Sequence, residues 1–135
     1  MLATIEPKSA PRASAKPNSF PDLDVKGLER LLRRNVEGEV RFDTGSRALY
    51  ATDGSNYRQV PIGVVIPRHA ADVEAAVAAC HRFQAPLLCR GGGTSLAGQC
   101  CNVAVILDFT KYMNRVLEID ARTRLARVEP GCVLD

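Results

Sequence analysis

Residues 86–99 read PLLCRGGGTSLAGQ, a short apolar run followed at once by a glycine-rich loop. The apolar run predicts a buried strand. Because glycine has no Cβ, the three consecutive glycines can adopt positive φ and bring the backbone close to a bulky anion. Successive inward N–H groups form an anion-binding nest, to which Thr94 and Ser95 add hydroxyl donors, and Gly98 permits a second close approach. The stretch therefore predicts a site for a diphosphate.

Two familiar phosphate-binding motifs do not fit this loop. Gly93 and Gly98 have the glycine spacing of a P-loop, GxxxxGK[ST], but Gln99 and Cys100 replace its lysine and hydroxyl residue. The dinucleotide fingerprint GxGxxG would need glycine where Leu96 stands, and no long helix is predicted directly after the loop. ATP or GTP hydrolysis and an ordinary Rossmann NAD site are therefore not expected. A structural glycine turn is the alternative to a ligand site, and the flanking strands and hydroxyl residues disfavour it.

The loop belongs to a predicted βαβ unit. Residues 63–67 are a β-branched run closed by proline, which is typical of a strand buried on both faces. Residues 70–83 carry an apolar stripe at helical spacing, with His69 at the N-cap position and Asp72 in the first turn. With the strand at 86–89, these elements predict two parallel strands and a right-handed crossover. The glycine loop then emerges at the carboxyl end of a strand, where ligands bind in open α/β sheets.

Further strands are predicted after the loop. Residues 103–109 form a third apolar run. Residues 116–120 and 124–129 predict a hairpin that turns at 121–123. The predicted fold class is therefore α+β, with a small mixed sheet.

The region before the βαβ unit carries weaker signals. Asp22 is the predicted N-cap of one short amphipathic helix that runs to Val36. Residues 40–57 are expected to be loops with a short helical turn near 47–50. Residues 1–20 are rich in Ala, Pro, Ser and Lys, a composition that predicts a disordered tail.

Composition disfavours several classes of protein. The chain has 18 Lys and Arg against 15 Asp and Glu, a net charge of +3, and no basic stripe with interleaved aromatics, so no nucleic-acid partner is expected. Purely apolar runs such as residues 103–107 are far below the roughly 20 residues of a membrane-spanning helix. The first residues lack the apolar core of a signal peptide, and a cytoplasmic location is expected. Five cysteines without a C-x-x-C pair predict neither a disulfide framework nor a metal site, and each is expected to be a small buried hydrophobe or an inert thiol.

Five separated segments carry a family resemblance: YATDGS (50–55), VIPR (65–68), RGGGTSLAGQ (90–99), LD (107–108) and VEPG (128–131). Together they resemble the FAD-linked oxidases and dehydrogenases of the vanillyl-alcohol oxidase/PCMH type. The match is best to the D-2-hydroxy-acid dehydrogenases, which comprise glycolate oxidase flavin subunits and the D-lactate and D-2-hydroxyglutarate dehydrogenases. The segment 90–99 is the most specific of the five.

The resemblance implies a PCMH-type FAD-binding domain, present here as an N-terminal βαβ lobe and the start of a second lobe. In the family a further α+β lobe and a substrate-binding cap domain follow, and long members add a cysteine-rich iron–sulfur region. We therefore expect residues 21–135 to be the N-terminal part of a truncated FAD-binding domain, with any iron–sulfur cluster in the missing C-terminal region. The implied FAD contacts come from Arg90, Gly91, Gly92, Gly93, Thr94, Ser95, Gly98, Gln99 and Pro67.

The resemblance also implies a reaction. Some relatives have histidine at the position of Thr94 and attach FAD covalently through it, so the flavin is expected to be noncovalent here. The expected activity is oxidation of a small D-2-hydroxy acid, with hydride passing to flavin N5. No catalytic residue or electron acceptor is assigned, and this stretch alone is not expected to turn over substrate. The alternatives are an FAD-dependent enolpyruvyl sugar-nucleotide reductase and a noncatalytic nucleotide- or phosphate-binding module.

Overall fold

The computed structural model describes residue 20 and residues 22–134. The tail predicted at residues 1–20 lies outside the described residues apart from Phe20. Among the described residues, no helix combines the length and the apolar character needed to cross a bilayer. The helices and strands are, in chain order, α1 (Val25–Asn35), β1 (Glu39–Arg41), α2 (Thr44–Leu49), β2 (Gly63–Ile66), α3 (Ala70–Phe83), β3 (Leu87–Arg90), β4 (Val105–Asp108), β5 (Val116–Asp120) and β6 (Leu125–Val128).

Four strands form one mixed sheet in the order β1-β2-β4-β3, which confirms the predicted small mixed sheet. β2, β4 and β3 are parallel, and β1 is antiparallel to β2. The predicted βαβ unit is present, but β4 lies between its two strands. Because β4 is central it is buried at every position, whereas β3 lies at the edge and is only partly buried. The prediction that the strand entering the glycine loop is buried is therefore wrong.

The larger hydrophobic core lies between the sheet and helices α1 and α3. Val65, Val105 and Leu107 of the sheet share one cluster with Leu28 and Leu32 of α1, and all five are 0% exposed. α3 adds mainly small buried side chains, which allow it to pack closely. Burial of a Val or Leu side chain contributes about 1.5–3 kcal/mol. This cluster therefore fixes the strands whose carboxyl ends carry the loops described below.

The opposite face of the sheet is covered by aromatic side chains. Val64, Ile66 and Ile106 form a smaller buried cluster, against which Tyr50 and Tyr112 pack. These tyrosines come from segments on either side of the βαβ unit, so the second face also joins distant parts of the chain.

Glu39 of β1 holds Tyr112 in place. The Tyr112 hydroxyl donates to the Glu39 carboxylate at 2.7 Å, and Lys111 and Arg41 form ion pairs with the same carboxylate. The Lys111 ammonium and then the Tyr112 hydroxyl lower the pKa of Glu39 from 4.5 to about 2. β1 is a strand that the sequence did not predict, whereas residues 42–57 are otherwise loops around the short helix α2, which begins three residues before the predicted helical turn near 47–50. β1 has three residues and pairs along its whole length with β2, so tertiary pairing defines it more than local sequence.

The two long helices differ in how well their starts were predicted. α1 begins after Asp24 rather than Asp22, because the Asp24 carboxylate accepts a hydrogen bond from Gly27 N at 2.8 Å. α3 has the predicted bounds, and His69 is its N-cap as expected, with Asp72 N donating to His69 Nδ1 at 3.4 Å.

Asp72 has a structural role beyond its place in the first turn of α3. It is 1% exposed, and its carboxylate accepts hydrogen bonds from Glu37 N at 2.8 Å, Gly38 N at 3.0 Å and Arg68 N at 2.9 Å. Charge-assisted bonds of this kind are stronger than neutral ones. Asp72 thereby ties the α1–β1 turn and the exit of β2 to α3.

β5 and β6 form the predicted hairpin. At its turn the Asp120 carboxylate accepts hydrogen bonds from the backbone N–H groups of Arg122 and Thr123. In contrast to the four-stranded sheet, the hairpin leaves its apolar side chains exposed: Val116, Leu117, Ile119, Leu125 and Val128.

Candidate functional site

The parallel strands end at one edge of the sheet, and the exits of β3 and β4 border a cavity of about 560 Å³. This is the edge at which ligands bind in open α/β sheets. The cavity has two sides, a glycine wall that follows β3 and a far wall built from the segments after β4 and β6. The glycine wall is Gly91, Gly92 and Thr94, and the far wall is Thr110, Asn114, Pro130, Gly131, Cys132, Val133 and Leu134.

The glycine wall presents an open backbone surface. A Cβ added at Gly91 would meet nothing within 4 Å, and one added at Gly92 would lie 3.7 Å from Thr94 Cγ2, an ordinary contact. Within the described part of the chain, the N–H groups of Gly92, Gly93, Thr94 and Ser95 donate to no protein acceptor. Free N–H groups on an open surface are suited to an anion. The residues present therefore fit a diphosphate, as the sequence predicts.

Two other glycines of the loop face the protein. Gly93 and Gly98 have φ of 69° and 80°, a region that side chains rarely adopt. A Cβ at Gly93 would collide with the guanidinium of Arg90, and one at Gly98 would lie 2.7 Å from the ring of Tyr57. These two glycines therefore set the path of the loop.

Arg90, the last residue of β3, lies behind the loop. Its Nη1 donates to the carbonyl oxygens of Thr52 at 2.9 Å, Cys100 at 3.2 Å and Tyr50 at 3.5 Å. The guanidinium also lies over the Tyr50 ring, 5.3 Å from its centroid. The side chain is thus engaged with protein atoms rather than with the cavity.

The segment 50–55 supports the glycine loop along its length. Gly54 N donates to Gly93 O at 2.9 Å, and a Cβ at Gly54 would lie only 3.1 Å from loop carbonyl oxygens. The Asp53 carboxylate accepts from Cys100 N at 3.2 Å and from Ser55 N at 2.9 Å. Hydrogen bonds from the Ser55 hydroxyl and amide, together with the Cys100 amide, lower the pKa of Asp53. Asp53 therefore stays ionised and holds the end of the loop.

Asp108 connects this support to β4. The Tyr50 hydroxyl donates to one Asp108 oxygen at 2.6 Å, and the other accepts from Thr110 N at 2.9 Å and Thr110 Oγ1 at 2.7 Å. Burial, followed by the Asp108 carboxylate, raises the pKa of Tyr50. Tyr50 therefore remains a donor, and Asp108 aligns both the support of the loop and the start of the far wall.

An ion pair and a close backbone contact position the far wall. Glu129 is 8% exposed and accepts from Arg115 N at 2.9 Å and Arg115 Nη2 at 2.8 Å, and the hydrogen bonds of Arg115 lower the pKa of Glu129. Gly131 N donates to Met113 O at 2.8 Å, and a Cβ at Gly131 would collide with the carbonyl of Phe109. The segment after β6 is thereby pressed against the exit of β4.

Three further predicted site residues lie outside the cavity lining. Ser95 Oγ is 3.1 Å from Cys100 Sγ, Gln99 is exposed, and Pro67 is less than 2% exposed at the exit of β2. The FAD contacts assigned to these residues stay predictions.

Several residues that shape the site had no predicted role. Thr110, Asn114 and Cys132 line the far wall, while Asp53 and Asp108 support the two walls from outside. Four of these positions lie in or beside segments that carry the family resemblance, so the signal was present without a role attached to it.

The five cysteines are all free thiols, and they are not alike. Cys80 is buried, which raises its pKa to about 11 and fits the predicted inert thiol. Cys89 is exposed and does not fit a buried hydrophobe. In the portion of the chain that the structure covers, no three His, Cys, Asp or Glu side chains come together as a metal site would require.

Comparison with known proteins shows the family to which the chain belongs. The sequence model of a family described as FAD binding domain matches residues 61–135, more than half of the chain. The D-2-hydroxyglutarate dehydrogenase of Escherichia coli (strain K12) is 36% identical over 116 residues, which cover 84% of this chain and 11% of that protein. The glycolate oxidase subunit GlcD of the same strain is 35% identical over 117 residues, covering 84% of this chain and 23% of that protein.

The fold is also that of a solved structure. The structure of p-cresol methylhydroxylase with substrate bound matches with a TM-score of 0.68 at 23% identity, covering 79% of this chain and 22% of that one. The chain thus spans only a small part of the proteins that it matches. It belongs to the FAD-binding domain family, as a mixed α/β domain of PCMH type related to FAD-dependent oxidoreductases.

Proposed function

We propose that this chain binds FAD noncovalently and forms the cofactor-binding part of an enzyme that oxidises a small D-2-hydroxy acid. The observation that carries the proposal is the glycine wall, which lines a cavity at the carboxyl edge of parallel strands and whose N–H groups at Gly92 and Thr94 donate to no protein acceptor among the described residues. The substrate class follows the relatives named D-2-hydroxyglutarate dehydrogenase and glycolate oxidase subunit.

The diphosphate of FAD would be held by the glycine loop. Its N–H groups at Gly92 to Thr94 donate, and the hydroxyls of Thr94 and Ser95 add donors. No carboxylate lines the cavity among the described residues, so no like charge opposes the anion there. Gly91, Gln99 and the backbones of Arg90 and Gly98 complete the proposed contact set, from which Pro67 is left out because it is less than 2% exposed.

Noncovalent attachment follows from position 94. Thr94 has no imidazole through which a flavin ring could be attached. The full-length protein should purify yellow, and acid precipitation should release its flavin into the supernatant. Flavin that stays in the pellet would contradict the proposal.

In this proposal the cofactor supplies the redox chemistry and the chain holds the cofactor. When bound, FAD supplies the hydride acceptor. The residues of this chain bind and orient it, since the supports behind each wall hold the wall residues before a ligand arrives. No residue of the chain is assigned to take the hydroxyl proton or to bind the substrate carboxylate. The 135 residues alone are therefore expected not to turn over substrate.

FAD titration tests the cofactor, and substrate reduction tests the reaction. For the 135-residue chain we expect weak binding, with a Kd above about 1 µM, followed by amide shifts of residues 91–95 in NMR spectra. Submicromolar affinity would contradict an incomplete site. For the full-length protein we expect anaerobic bleaching of the flavin by D-2-hydroxyglutarate, D-lactate or glycolate. Bound FAD that none of these acids reduces would overturn the substrate class and leave the FAD site intact.

A further inference from the structure

We propose that the Arg90 side chain positions the glycine loop from behind and does not bind a phosphate itself. FAD as the ligand rests on the proposed function above, whereas the contacts of Arg90 belong to this chain alone. The family resemblance places Arg90 among the residues that wrap the diphosphate. Its contacts give the side chain a different role.

The guanidinium faces protein atoms on both edges. Nη1 carries two N–H groups, and the carbonyls of Tyr50, Thr52 and Cys100 all lie within 3.5 Å of it. The other edge lies against Gly93, because a Cβ there would collide with Nη2 and lie 3.0 Å from Nε. The cavity lining does not include Arg90. A phosphate on the glycine wall would therefore be separated from the guanidinium by the loop backbone.

The contacts of Arg90 connect the start, the middle and the end of the glycine loop with the segment that supports it. Arg90 stands at the start of the loop, Cys100 at its end, and Gly93 between them. The carbonyls of Tyr50 and Thr52 belong to the segment that supports the loop from outside. Because these bonds are charge-assisted and the planar fork of arginine can serve several acceptors at once, one side chain closes the loop and fixes it to its support.

This arrangement predicts how Arg90 affects ligand binding. A loop that is ordered before binding spares the ligand the entropic cost of ordering it. Without the guanidinium, FAD affinity should fall about 10- to 100-fold, the equivalent of one hydrogen bond to a charged group. The loss should come from a looser ligand-free loop rather than from a missing phosphate contact.

Hydrogen exchange of the ligand-free chain tests this directly. In Arg90→Ala we expect faster exchange at the amides of Gly54 and Cys100, which bond across the loop and its support, and unchanged exchange in α3. Arg47→Ala is the matched control, because Arg47 Nε also donates to a backbone carbonyl, that of Pro61 at 2.7 Å, away from the loop. Unchanged loop exchange in Arg90→Ala would overturn the proposal.

Arg90→Lys separates positioning from charge. Lysine keeps the positive charge but is a point donor that cannot reproduce the fork, so loop exchange should rise and FAD affinity should fall nearly as far as in Arg90→Ala. Wild-type affinity in Arg90→Lys would identify charge as the important property and overturn the proposal. If Arg90→Ala unfolds the whole chain, loop exchange in Arg90→Lys decides the question.

Salt dependence gives a second readout. Loss of a direct phosphate ion pair would reduce the salt dependence of FAD affinity, whereas loss of positioning should weaken binding equally at low and high salt. Arg47→Ala should leave affinity and salt dependence unchanged. If the wild-type chain does not bind FAD, the proposed function fails, while the exchange measurements still decide the role of Arg90.

Discussion

Gly91 and Gly92 differ from Gly93 and Gly98 in what lies beyond their Cα atoms, although all four belong to one loop. A Cβ on either of the first two would project into open space or ordinary contact, whereas a Cβ on either of the second two would press on a neighbouring side chain. Only the second two have positive φ. One pair is therefore available to a ligand and the other shapes the protein. Binding and folding can be measured separately, so single substitutions can test the distinction.

The largest effect is expected for Gly92→Val. Its branched side chain would occupy the surface that the diphosphate needs and would cost two or more charge-assisted hydrogen bonds, which corresponds to about a 1,000-fold loss of FAD affinity. The chain itself has room for the side chain, so the free energy of unfolding should change by less than about 0.5 kcal/mol. FAD titration followed by NMR, together with thermal unfolding, measures both quantities.

Gly92→Ala should show a smaller loss of FAD affinity than Gly92→Val, because the alanine side chain occupies less of the diphosphate surface. Unchanged FAD affinity in Gly92→Val would remove the glycine wall from the site. A large loss of stability in Gly92→Val would instead mean that Gly92, like Gly93, is required for the path of the loop.

Gly93→Ala should have the opposite pattern. The positive φ and the collision with Arg90 should together cost about 2–3 kcal/mol of folding stability, or a fall in Tm of about 10 °C. FAD affinity should also fall, since the displaced guanidinium no longer holds the loop. Thermal unfolding without ligand measures the first effect, and a wild-type Tm would show that the loop adapts without cost.

Gly98→Ala should be milder than Gly93→Ala, because the ring that it meets is movable. Tyr57 is 60% exposed and its ring can turn aside, although its Cβ stays 3.2 Å from the added atom, so most of the expected loss of about 1–2 kcal/mol comes from the positive φ. The double variant with Tyr57→Ala isolates that part. Full recovery of stability in the double variant would show that the ring contact, and not the backbone angle, requires glycine.

The sequence predicts this loop well because its signals are local. Residues 90–99 carry the free N–H groups and the hydroxyls next to one another, and the strand before them ends at the ligand-binding edge. α3 was predicted to the residue for the same reason, since its cap and apolar stripe lie within the helix itself. Local chemistry is thus sufficient to predict an open glycine loop and a capped helix.

The supports of the loop could not be predicted in the same way. Arg90 and Tyr50 are 40 residues apart in sequence, and Tyr50 and Asp108 are 58 apart, so no local pattern relates them. β1 and the central place of β4 also depend on pairing between distant strands. The N-cap of α1 was predicted at Asp22, whereas the carboxylate that reaches Gly27 N is that of Asp24. The sequence therefore indicated the glycine wall of the cavity but not the residues that support it.

The smallest expected effect is the pH dependence of the stability that Asp53 contributes. Asp53 lies in the segment that supports the glycine loop and accepts hydrogen bonds from Ser55 and Cys100. Its pKa is lowered below the ordinary value of 3.8, so the folded state prefers the ionised form. The stability that Asp53 contributes should be present above about pH 3.8 and be lost as the pH falls through the folded-state pKa. The unfolding free energies of wild type and Asp53→Asn should therefore converge on acidification, and exchange at the Cys100 amide should converge with them. A difference that stays constant with pH would mean that the shape of Asp53, rather than its charge, supports the loop.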